Sequence, residues 1–123
     1  MKYEKAQEIQ KQIEFLVEKL DFKHVNVKYI HCIRSFDSKT RAYARIWGMA
    51  KLFKEVAGLE PHYIIEVIHK KYDKLSPREQ MKTLIHELMH IPKTFSGALL
   101  SHKGKYHRIN DREVEKILKQ FSI

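Results

Sequence analysis

The chain has 123 residues, a formal net charge of +9, 43% hydrophobic residues and one cysteine. That length suits a single domain with a modest core, and no window approaches the roughly 20 apolar residues of a membrane span. With Cys32 alone no intrachain disulfide can form, and the charged start Met1-Lys2-Tyr3-Glu4-Lys5 is unlike a signal peptide, so a reducing cytoplasm is the expected setting.

The predicted elements run as follows. Residues 1–20 read as an amphipathic helix, with Tyr3, Ala6, Ile9, Ile13, Leu16 and Leu20 at helical spacing, suited to covering a sheet. Residues 24–68 form the sheet region. Its first strand is expected within His24–Ile33 and its second over Ala42–Trp47, joined as a hairpin. Lys51–Ala57 can make two helical turns with Gly58 as the C-terminal cap, and Tyr63–Ile68 is the strongest strand signal. Glu66 interrupts that strand, either facing solvent or supporting a ligand from behind. A helix over 77–91 follows, opened by Ser76-Pro77-Arg78-Glu79, where serine caps, proline takes the first position and glutamate closes a capping box. After a long connection, Asn110-Asp111-Arg112-Glu113 starts a last helix over 111–121. The succession predicts an α+β fold: a small, mostly antiparallel three-stranded sheet with three principal helices.

The chemistry concentrates in His86-Glu87-Leu88-Met89-His90, a His-Glu-x-x-His motif inside the 77–91 helix. Residues four apart lie one turn above each other, so both imidazoles can reach one metal ion. Glu87 then stands beside the metal, where a general base takes a proton from water. On a wheel at about 100° per residue, Met81, Leu84, Ile85 and Leu88 form an apolar stripe nearly opposite the two histidines.

A catalytic zinc usually takes three protein ligands and keeps one open position. His102, followed by Gly104 where the backbone can bend, is the preferred third ligand, and His107 is the alternative. If both bound, the site would close and become structural. Tyr106, His107 and Arg108 are candidates to stabilise an oxyanion. Zn2+, one per chain, is favoured by the imidazole set.

From Tyr43-Ala44-Arg45-Ile46-Trp47-Gly48 through His86–Gly104 to the last helix, the chain resembles small predicted zincin-type metallopeptidases of archaea and their viruses. The resemblance implies a minimal zincin whose edge strand, within Tyr63–Ile68, lines a cleft and pairs with an extended peptide or protein substrate. It also supports His102, because SprT-like proteases similarly place a histidine followed by glycine after the motif helix. The chain lacks their cysteine-rich ribbon and the longer metzincin continuation.

Three functions are consistent with these residues: a zinc-dependent peptidase, a basic nucleic-acid-associated module with a structural metal, and a regulatory protease cutting one repressor-like partner. The positive charge suits nucleic acid or an acidic protein, and a solvated Lys/Glu surface accounts for it equally.

Overall fold

The computed structural model describes residues 2–122. Its sheet has four strands in the order β1-β2-β4-β3: β1 (Tyr3–Lys5), β2 (Ile30–Ser35), β3 (Ala44–Trp47) and β4 (Tyr63–Ile68). β2 and β4 are parallel, with Ile30 beside Tyr63 and Ser35 beside Ile68, while β1 and β3 add antiparallel on either side. The α+β class is as expected. The sheet has four strands where three were expected, its central pair is parallel, and β2 and β3 do not form the expected hairpin.

The apolarity of β4 explains the difference. Every residue of this strand except Ile64 is buried, so it takes a central place, and by lying between β2 and β3 it keeps them from pairing. The expectation that Tyr63–Ile68 forms the edge fails for the same reason. The edge strands are β1 and β3.

The N-terminal helix is shorter than expected. Residues 3–5 pair with β2, the Ala6 N–H donates to the Cys32 carbonyl at 3.0 Å, and helix α1 runs only over Gln7–Lys19. Tyr3 thereby leaves the apolar stripe for solvent, while Ile9, Ile13 and Leu16 are buried. Because β1 reaches only residues 33–35 of β2, the earlier backbone needs another partner. Gln10 supplies it, donating from Nε2 to the Ile30 carbonyl (2.9 Å) and accepting the Cys32 N–H on Oε1 (3.2 Å).

β2 also starts later than the expected strand. Asn26 accepts the Lys28 N–H and caps a 3₁₀ turn over Val27–Tyr29, so the local side-chain bond wins over extended backbone.

Helix α2 (Lys51–Ala57) ends on Gly58 at φ 65°, and an unexpected short helix α3 (His69–Tyr72) follows β4. Helix α4 (Pro77–Met89) is capped as read: Ser76 Oγ accepts the Glu79 N–H at 3.2 Å. Helix α5 (Asp111–Gln120) starts the same way, with Asn110 Oδ1 accepting the Glu113 N–H at 2.9 Å. Lys82 joins the two helices, its ammonium 2.6 Å from Asp111 and 2.8 Å from Glu115.

Ile13 and Leu16 of α1, Ile65 of β4, Leu84, Ile85 and Leu88 of α4 and Leu118 of α5 belong to one buried core. Among the described residues, no helix is long and apolar enough to cross a membrane.

Candidate metal centre

Leu84, Ile85 and Leu88 are fully buried and fix the rotation of α4. The same rotation sends His86, Glu87 and His90 to a cleft of about 690 Å³. Its other walls are residues 42–46, leading into and along the edge strand β3, and residues 99–102 of the returning connection.

The helix ends one turn after His86, and Ile91-Pro92 carries the chain away. The connection reverses through Phe95 (φ 47°) and Gly97 (φ 94°). Buried Tyr63 of β4 pins this turn: its hydroxyl accepts the Gly97 N–H at 2.8 Å and donates to the Ala98 carbonyl at 2.8 Å. The backbone then brackets His90. Leu100 donates its N–H to the His90 carbonyl (2.7 Å) and accepts from His90 Nδ1 on its own carbonyl (2.5 Å).

That last bond determines a tautomer. A carbonyl oxygen can only accept, so Nδ1 carries the proton and the Nε2 lone pair is left for a ligand. The Nε2 atoms of His86 and His102 lie 3.1 Å apart, and one ring nitrogen from each of His86, His90 and His102 falls within 4.8 Å of the others.

His107 is not part of this group. It donates from Nε2 to the Ser101 carbonyl at 2.8 Å, while Ile109 N–H reaches the His102 carbonyl at 2.7 Å and residues 103 and 108 form a bridge. These bonds close the loop that carries His102. Gly104 serves it through space rather than by a special backbone angle, because the His107 ring packs where a β-carbon would stand. Tyr106 is 88% exposed, with Lys105 Nζ 5.3 Å from its ring, and does not line the cleft.

Burial, then the proximity of His90 and His102, lowers the His86 pKa to about 4; burial also lowers that of His90. At neutral pH these two rings are therefore uncharged bases. Burial alone pushes the Glu87 carboxyl up to about 8, and its exposure is 7%. A nearby cation would reverse that shift.

Sequence reasoning missed Arg45. It borders the cleft along the strand edge, but its guanidinium lies on the other face of the sheet, because Ala44 and Ile46 pack on the core and Arg45 alternates with them: Arg45 Nε donates to Glu66 Oε1 at 2.7 Å, and Trp47 Nε1 donates to the same oxygen at 2.9 Å. Glu66 is fully buried. Burial raises its pKa, but the hydrogen bonds outweigh it and hold the carboxyl below its usual value. Glu66 thus faces neither solvent nor the histidines. The one signal for Arg45 is the pairing of residues 45 and 66 across β3 and β4, which needs the strand order.

Three clustered imidazoles, two with protonation suppressed by burial and one with its tautomer set by a carbonyl, suit a divalent cation. Beside them the buried Glu87 carboxyl lines the same cleft, which has an open strand edge. A family model described as "Putative phage metallopeptidase" matches residues 1–121, and the chain belongs to that family. The match includes the N-terminal helix, beyond the resemblance traced from residue 43. No curated protein and no solved structure matched the chain.

Proposed function

We propose that the protein is a zinc-dependent peptidase in which His86, His90 and His102 hold the ion and Glu87 is the general base. The observation that carries this reading is the convergence of three imidazole nitrogens within 4.8 Å next to a buried carboxylate. A zinc ion supplies Lewis acidity that polarises a carbonyl and makes water a better nucleophile at neutral pH.

The protein's own groups do the rest. A Glu87 carboxylate oxygen takes a proton as water adds to the peptide carbonyl carbon, and returns it to the leaving nitrogen as the C–N bond breaks. β3 pairs on one side only, so its free edge can hold an extended substrate by main-chain hydrogen bonds.

The test is cleavage of unfolded proteins and a mixed peptide library, read by mass spectrometry with zinc-loaded protein. Cleavage that stops with a chelator, and falls about 100-fold or more in Glu87→Gln while zinc content is kept, supports the reading. Undiminished cleavage by a zinc-retaining Glu87→Gln variant removes Glu87 as the base.

A further inference from the structure

α2 is an inside-out helix. None of its residues is buried, and its large apolar side chains are among the most exposed in the chain: Leu52 is 70% accessible, Phe53 64% and Val56 78%. The face turned to the protein is instead the lysine face. Lys54 Nζ donates to the Ser96 carbonyl at 2.6 Å, and its stem lies 3.5 Å from where a Gly97 β-carbon would be. At about 100° per residue, Leu52 and Val56 lie on the far side from Lys54 and one turn apart, with Phe53 to one flank. The other flank carries Lys51 and Glu55, an i,i+4 pair at 3.6 Å whose side chains are 83% and 61% exposed.

This pattern is its own complement. When a two-fold axis brings two copies of α2 together antiparallel, each flank meets the same flank of the other copy in reverse order. Lys51 then faces Glu55 of the second copy, Glu55 faces its Lys51, Phe53 meets Phe53, and Leu52 and Val56 form the seam. A lipid surface would use a cationic flank throughout, which Glu55 interrupts. An unlike protein would need no charge order that matches itself.

We infer that α2 is the contact face of an isologous homodimer, joined along the Leu52–Val56 seam with Lys51–Glu55 pairs across it. The claim is independent of the metal site and of any catalytic activity.

Sedimentation velocity of the full chain over a wide concentration range tests it, in wild type and three variants. Wild type is expected to dimerise, and Val56→Asp to weaken dimerisation at least about 100-fold, because each copy would bury an unpaired carboxylate. Residue 56 is exposed in the single chain, so the variant is expected to keep its circular dichroism and zinc content. Lys51→Glu alone should weaken the dimer, and Lys51→Glu with Glu55→Lys should restore it. A wild type that stays monomeric at every concentration, or a dimer untouched by Val56→Asp, overturns the inference. Failure of the charge swap to restore association overturns the antiparallel pairing.

Discussion

Gly104 lies against the ring of His107, so closely that a β-carbon at residue 104 would stand 2.1 Å from Cε1 of the imidazole. The contact matters because that ring, through Ser101, closes the loop bearing His102. Gly104→Ala should displace His107, break its bond to the Ser101 carbonyl and loosen His102. The expected result is one zinc per chain still bound, with affinity lower by about 10–100-fold, and a similar loss in His107→Ala. Competition against a chromophoric chelator measures both. Unchanged affinity in the two variants would show that His107 does not hold His102 in place.

Tyr63 reaches from the central strand to the turn that leads back to His90. Tyr63→Phe removes the partner of both the Gly97 N–H and the Ala98 carbonyl, and should cost about 1–3 kcal/mol. Urea denaturation gives the value. A loss below a few tenths of a kcal/mol would mean that water replaces the hydroxyl and the turn is held by other contacts.

The Arg45–Glu66 pair gives a double-mutant cycle. Arg45→Met removes the charged partner of the fully buried Glu66, and should destabilise the fold by about 3 kcal/mol. Adding Glu66→Gln should recover part of that loss, since no buried charge then remains. Strictly additive losses would show that the two side chains are not coupled.

Glu87 makes stability depend on pH when metal is absent. Its carboxyl is raised by burial from an ordinary 4.5 to about 8, so the unfolded chain ionises first as pH rises. Its stabilising contribution is full below 4.5 and is lost as pH climbs through the window to 8. In chelator, Glu87→Gln should therefore match wild type near pH 4 and exceed it by on the order of 3 kcal/mol at pH 7. Thermal melts across that range check the sign. A gap that narrows with rising pH would contradict the burial argument.

Local signals were the legible ones. The Ser76 and Asn110 caps, the Gly58 stop and the i,i+4 histidines each depend on residues within one or two turns, and each occupies the expected element. Strand order depends on competition across the chain. Nothing near residues 30–47 reveals that β4 will lie between β2 and β3, and with that unknown the Arg45–Glu66 pair is invisible. At Gly104 the glycine requirement comes from a ring three residues later and not from backbone torsion, a contact that residue spacing does not show. The choice between His102 and His107 likewise turns on which ring the loop's own hydrogen bonds consume.

X-ray absorption at the zinc K-edge, on protein reconstituted with one equivalent of zinc, tests the three-histidine site most directly. The account predicts three imidazole nitrogens at about 2.0–2.1 Å, with the imidazole scattering lost in part on His102→Ala and retained in full on His107→Ala. A spectrum with two imidazoles or fewer, or one unchanged by His102→Ala, would contradict it.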